Sequence, residues 1–157
     1  MSRKETSQTP KPQGMPSGVS IPERLTINRQ VIEDFRTNEG KSTGRFEGVP
    51  LVLLHTVGAK SGKPGVNPLY LFEHDGRRYV TASFSGNSKT PAWAINARAQ
   101  GEVIVEMPNE QYRADIVEVP EHERRTLYAQ LAEEFPPFQQ YQHRTERVIP
   151  MFELVRK

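Results

Sequence analysis

Asp75 and Gly76 constrain the fold of this chain more than any other pair of neighbours. They separate two runs rich in β-branched and aromatic residues, 66–73 and 78–83. An Asp-Gly pair between such runs predicts a two-residue hairpin, because both residues tolerate the positive φ that the turn demands. The arrangement recurs at Pro108-Asn109, which divides 102–107 from 111–119. The apolar run at 50–57 reads as a buried strand, and 148–155 reads as a closing one. Five to six strands, joined to their neighbours by hairpins and accompanied by few helices, predict a mostly antiparallel sheet or barrel.

The helices announce themselves by their caps. Ser20 with Glu23 matches a capping box. Ile21, Leu25, Ile32 and Phe35 then recur at helical spacing, with Gly40 as the stop. Thr90 as N-cap and Pro91 at the first helical position predict a helix to Gln100, ended by Gly101. A third helix covers 121–134, with Leu127, Leu131 and Phe135 on one face. Pro136-Pro137 breaks it, and a short aromatic-bearing helix follows at 138–145. Residues 1–19, rich in Ser, Thr, Pro, Gln and Gly, have no core-forming pattern and read as a disordered tail. That leaves 20–157 as one domain, large enough for one core.

Several function classes are excluded by what is missing. With no cysteine, disulfides and thiolate chemistry are out, which fits a cytoplasmic protein. The longest apolar run, 49–54, is too short to span a bilayer, so no integral membrane segment is expected. No secretory h-region is present. His55, His74, His122 and His143 lack metal-ligand spacing, no Gly-x-Ser-x-Gly elbow occurs, and no nucleic-acid-reading module is evident.

Charge is unevenly placed. Residues 41–101 carry eight basic side chains, Lys41, Arg45, Lys60, Lys63, Arg77, Arg78, Lys89 and Arg98, against Glu47, Glu73 and Asp75. A basic middle section points to an anionic ligand. Within it, Gly58-Ala-Lys-Ser-Gly-Lys-Pro64 looks like a phosphate loop. However, three residues lie between its glycines where a Walker loop has four, and Pro64 stands where a magnesium-binding hydroxyl would be. Nucleotide hydrolysis is therefore rejected. Glycines could still let backbone N–H groups approach an anion, with Lys60 and Lys63 adding charge. A plain glycine-rich turn with exposed lysines is the other reading. By spacing alone Phe135, Phe138 and Tyr141 are core residues, and Trp93 is core or pocket. Ser83 precedes a small-residue loop, Ser85-Gly86-Asn87-Ser88, of the kind that lets a ligand reach the backbone.

Taken in order, these pieces form a series. Leu53-Leu-His-Thr-Val-Gly58, Lys60-Ser-Gly-Lys-Pro64 and Val66-Asn-Pro-Leu-Tyr70 are followed by Asp75-Gly76, Ala82-Ser83 and Pro91-x-Trp93-x-x-Asn96. Tyr141-Gln142, Thr145-x-Arg147 and Ile149-Pro150 complete it. Over roughly 43–155 the chain resembles the deazaflavin-dependent nitroreductase family. That resemblance implies a split β-barrel, coenzyme F420 as cofactor, and hydride transfer to a hydrophobic, electron-poor small molecule such as a conjugated enone, quinone or nitroaromatic. It implies that Lys60, Ser61 and Lys63 meet the anionic cofactor tail and that Asn67, Pro68 and Tyr70 line the cofactor. Ala82 and Ser83 would lie beside the deazaflavin ring, and Trp93 and Asn96 would shape its pocket. Tyr141, with Ser83, would face the substrate as hydrogen-bond donor. The chain departs from the family at Ala59 and Gly65, where arginines are common. It also departs at Phe84, where lysine stands in the family, and at Phe135 and Phe138, where tyrosines do. A non-catalytic binding protein of the same fold, a flavin- or heme-using relative, and a monomeric or homodimeric state stay open at this point.

Overall fold

The computed structural model describes residues 20–41 and 44–157. The tail expected at 1–19 and the side chain of Ile21 lie outside the described residues. Seven strands are formed: β1 (Leu51–Val57), β2 (Pro64–Tyr70), β3 (Phe72–His74), β4 (Arg77–Thr81), β5 (Glu102–Glu106), β6 (Gln111–Glu118) and β7 (Met151–Arg156). The helices are α1 (Ile21–Thr37), α2 (Ala92–Gln100), α3 (Glu121–Glu134) and α4 (Pro137–His143). Asp75 and Gly76 take φ of 51° and 76° and join β3 to β4, as the turn chemistry requires.

The strands make one antiparallel sheet in the order β2-β1-β5-β6-β7-β4-β3. The run at 66–73, expected as one strand, is two. Tyr70 still pairs with Leu51 of β1, whereas Phe72 pairs with Tyr79 of β4. Leu71 bridges them, and its N–H donates to the Pro50 carbonyl at 2.9 Å. Side-chain alternation continues across the exchange of partners, so periodicity does not register it. The consequence is global. A single residue links the two edge strands of a seven-stranded sheet, so those edges must meet, and the sheet curls into a split half-barrel.

Both faces of the sheet are covered. In β1, Leu51 and Leu53 join a core with α1, α3 and α4, while Val52 and Leu54 join a second core with α2. This explains why β1 reads as an unbroken apolar run rather than an alternating one.

The caps form with one change. Ser20 and Glu23 complete the capping box, each side chain accepting from the other's backbone N–H at 3.2 Å. Thr90, expected as the N-cap of α2, lies one residue outside. Pro91 takes that position without a side-chain cap, and Gly101 ends the helix at φ 73°. On α1 the inward residues are Val31 and Phe35, whereas Leu25, expected on the buried face, is 57% exposed. The strand expected from Val148 begins only at Met151, because Pro150 has no N–H to pair.

Candidate functional site

Where the edges of the half-barrel meet, the sheet leaves a cavity of about 350 Å³. Strand β2 forms one wall with Gly65, Asn67, Pro68, Leu69 and Tyr70. As an edge strand it pairs only with β1, so its outer backbone groups are unclaimed by the sheet. Thr81, Ser83, Phe84 and Ser85 form the opposite wall. Trp93 and Asn96 come from α2, Phe138 and Tyr141 from α4, and Arg24 and Asn28 from α1.

The cavity has two chemical ends. Phe135 and Phe138 make an aromatic wall with Tyr70. The rings of Tyr70 and Phe135 stack at 4.8 Å, and Phe138 meets Tyr70 edge-on at 5.4 Å and Tyr141 at 5.5 Å. Core packing and pocket lining are thus the same role for these side chains. The Tyr70 hydroxyl donates to Glu134 Oε2 at 2.5 Å, and burial together with that carboxylate pushes its pKa well above the ordinary phenol range. Among the described lining residues the charged ones are Arg24 and Lys63, both cationic. The N-terminus of α2 also opens here through Pro91, Ala92 and Trp93, with no side-chain cap. Its partial positive charge adds to theirs.

The glycine loop is built differently from the expectation of a backbone cradle. Gly58 N–H donates to the Lys63 carbonyl at 2.8 Å and Gly62 N–H to the Gly58 carbonyl at 2.9 Å. Lys63 N–H donates to Ser61 Oγ at 3.2 Å, and Ala59 N–H donates to Asn96 Oδ1 at 3.0 Å. Four of the loop's N–H groups are therefore satisfied within the chain. The loop is a turn bonded to itself and pinned to α2 through Asn96. A Cβ at Gly58 would sit 2.4 Å from Ser61 Oγ and displace the hydroxyl that accepts from Lys63 N–H.

Ser83 is held by a strained segment. Phe84 and Ser85, both non-glycine, take φ of 48° and 53°. Such residues persist only when their surroundings impose the conformation. Arg147 does so, donating from Nη2 to the carbonyls of Ala82 and Ser83 at 3.1 and 3.0 Å and from Nε to that of Asn87 at 2.9 Å. Arg144 Nη1 adds a bond to the Ser85 carbonyl at 3.2 Å. Burial lowers the Arg147 pKa. The Ser83 hydroxyl makes no cap to the turn that follows, and Ser83 lines the cavity.

Of the residues expected at the site, Lys63, Asn67, Pro68, Tyr70, Ser83, Trp93, Asn96 and Tyr141 are brought together around the cavity. Three are not. Lys60 is exposed on the outer turn, Ser61 is engaged within the loop, and Ala82 is fully buried in the α2 core with only its carbonyl turned toward Arg147. Asn96 is also the tether that fixes the loop. Sequence reasoning missed Arg24 and the function of Arg147. The signal for Arg24 was available: positions 24, 28, 31 and 35 form one helical stripe, and a cation on an otherwise inward stripe is unusual. Arg147 was noted only as part of a motif, since its partners lie about sixty residues away.

Residues 27–155 match the family model described as F420H(2)-dependent quinone reductase. An F420H(2)-dependent quinone reductase of Mycobacterium tuberculosis (strain ATCC 25618 / H37Rv) is 30% identical over 130 residues, covering 78% of this chain and 85% of its own length. A solved F420-H2 dependent reductase, FDR-A, is 35% identical with a TM-score of 0.60, covering 67% of this chain and 93% of that one. A solved chain described as a domain-swapped dimer is 31% identical with a TM-score of 0.61, covering 83% and 95%.

Proposed function

The chain belongs to the F420H(2)-dependent quinone reductase family, and from that premise we propose that the split-barrel cavity within residues 20–157 holds the deazaflavin beside its acceptor. When bound, the reduced cofactor supplies two electrons and a proton as hydride, chemistry that is its own rather than the protein's.

The cavity fits such a group. Lys63 places a cation on the lining, and the uncapped N-terminus of α2 opens on the same cavity, so an anionic tail meets complementary charge. This electrostatic character is the observation that carries the reading. Lys63 binds the tail, with Lys60 assisting from the turn. Asn67, Pro68 and Tyr70 support the ring along the edge of β2. Trp93 and Asn96 bound it from α2.

On the acceptor side, Phe135 and Phe138 exclude water and favour a flat apolar molecule over a charged metabolite. Ser83 and Tyr141 are hydroxyl groups able to donate to an acceptor oxygen as negative charge develops on it. Tyr141 then passes a proton, or relays one from solvent. A quinone meets each requirement, and a conjugated enone or a nitroaromatic would engage the same groups.

The test is a titration with oxidised F420 followed by stopped-flow mixing of the reduced complex with a soluble naphthoquinone. Saturable binding and single-turnover oxidation of the cofactor are expected. Binding without turnover against any quinone, enone or nitroarene would replace the reductase with a carrier.

A further inference from the structure

Arg24 is built at a cost that only a ligand explains. It lies in the first turn of α1, next to the positive end of the helix, where a cation is disfavoured. Its side chain lies on the inward stripe that continues through Asn28 and Val31 to Phe35, and it lines the cavity with Asn28 and Val31. Its guanidinium sits over the Phe84 ring, 4.8 Å from the centroid. That ring belongs to the strained segment which Arg144 and Arg147 hold in place.

The Nε of Arg24 is buried and has no hydrogen-bond partner. Among the described residues no carboxylate pairs with Arg24. Burial lowers its pKa, and the one group acting the other way is the Tyr141 hydroxyl across the cavity. A buried donor without an acceptor carries its full desolvation penalty, and a charged one more so. A cation held against an aromatic face, half-desolvated and on the lining of a largely apolar cavity, suits an oxygen bearing negative charge.

We propose that Arg24 is the acceptor-recognition residue of this site and selects substrates whose oxygen is anionic or becomes so on reduction. This inference rests on the quinone-reductase reading and names the substrate class within it: quinones carrying a carbonyl or an ionised hydroxyl on the ring edge that faces Arg24 and Tyr141. Hydride delivered to a ring carbon conjugated to the carbonyl would push the π electron pair onto the carbonyl oxygen, which would take a proton from Tyr141 or water. The resulting keto tautomer would become the quinol when the reduced ring carbon loses its proton to water and the second carbonyl oxygen takes one up. The guanidinium binds the first of these oxygens throughout, most strongly when it carries the full charge. A nitrogen-terminated or purely hydrocarbon acceptor would gain little from it.

Trp93, the single tryptophan, lines the same cavity and reports binding without any cofactor or turnover. The probes are 2-hydroxy-1,4-naphthoquinone, an anion at neutral pH, and unsubstituted 1,4-naphthoquinone, each titrated by tryptophan quenching into wild type, Arg24→Lys and Arg24→Met. Wild type should bind the anion more tightly than the neutral quinone. Arg24→Met should weaken the anion by about 10- to 100-fold, the loss of one charge-assisted hydrogen bond. The neutral quinone should weaken far less. Arg24→Lys should recover part of the preference, because it keeps the charge but not the planar fork. Oxidised F420 should bind all three proteins alike. Equal anion affinity in wild type and Arg24→Met would overturn the assignment and leave the reductase reading standing. Loss of F420 affinity in Arg24→Met would also overturn it, placing Arg24 at the cofactor instead. An anion preference lost in Arg24→Met, with no quinone turnover in wild type, would support Arg24 and refute the reductase.

Discussion

The proposed assignment of single side chains to a cofactor end and an acceptor end makes a different kinetic prediction for each. Lys63 lines the cavity whereas Lys60 does not. Lys63→Ala should therefore raise the F420 dissociation constant by about 10-fold or more, and Lys60→Ala by clearly less. Neither should change turnover at saturating cofactor, because the tail takes no part in the transition state. Isothermal titration of both variants ranks them, and a larger effect for Lys60 would restore the outer turn as the anchor. Tyr141 makes the opposite prediction. Tyr141→Phe keeps the ring that packs on Phe138 and removes only the hydroxyl. It should slow single-turnover reduction of a quinone by about 10- to 1000-fold, the usual loss for one transition-state donor. Unchanged rates would make Tyr141 a packing residue. At Glu106 the argument concerns stability. Its carboxyl accepts from Arg36 at 2.9 Å and sits 2.8 Å from His55 Nε2, tying α1 to β5 and β1, and the Arg36 bond holds its pKa below the usual carboxylate value. A folded-state pKa depressed in this way gives stability that is present above the unfolded value and lost as pH falls through the folded one. The loss should thus begin below about pH 4.5. Glu106→Gln should cost about 1–2 kcal/mol at neutral pH, discounted for a half-exposed Arg36, and should flatten the acid limb of the stability curve.

Among the elements, the segment joining β4 to α2 matters most to the site. It holds two successive non-glycine residues in the left-handed region and then Gly86 at φ 81°. A Cβ on Gly86 would stand 2.6 Å from the Tyr141 carbonyl and 2.8 Å from Arg144 Cβ, so the segment and α4 are packed without slack. Gly86→Ala should lower the melting temperature by several degrees and displace Ser83 and Tyr141 together, which a loss of quinone turnover would report. Arg147→Met removes the guanidinium from the Ala82, Ser83 and Asn87 carbonyls, of which Ser83 keeps the Gly86 N–H at 2.9 Å. It should cost about 2–4 kcal/mol, since bonds from a charged donor are involved and Nη1 is already unpartnered. If denaturant melts of Arg147→Met match wild type, the clamp is not what holds the strained turn.

For the molecule as a whole, the proposed docking of the cofactor is led by charge. Lys63 lines the cavity, and the section between residues 41 and 101 is basic. A polyanionic tail approaching this surface should bind more weakly as salt rises, with the steepest change below about 0.15 M, where screening lengths exceed the spacing of the charges. A cofactor affinity flat across that range would contradict the charge-led docking. Among the described residues no helix is long and apolar enough to cross a membrane.

Whatever depends on near neighbours could be read directly from the sequence. The Asp75-Gly76 turn, the Ser20–Glu23 capping box, the full extent of α3 and the stop at Gly101 all follow from backbone preferences acting over four residues or fewer. The ordered motifs added the family and most of the lining residues. Tertiary structure alone decided that one apparent strand serves two partners through Leu71, because alternation of side chains is blind to which strand supplies the hydrogen bonds. It decided that the glycine loop is tied to α2, because the Asn96 acceptor comes from a helix thirty-seven residues on. It also turned Arg24 inward, since the face of α1 that becomes buried is fixed by what the sheet and α4 present to it.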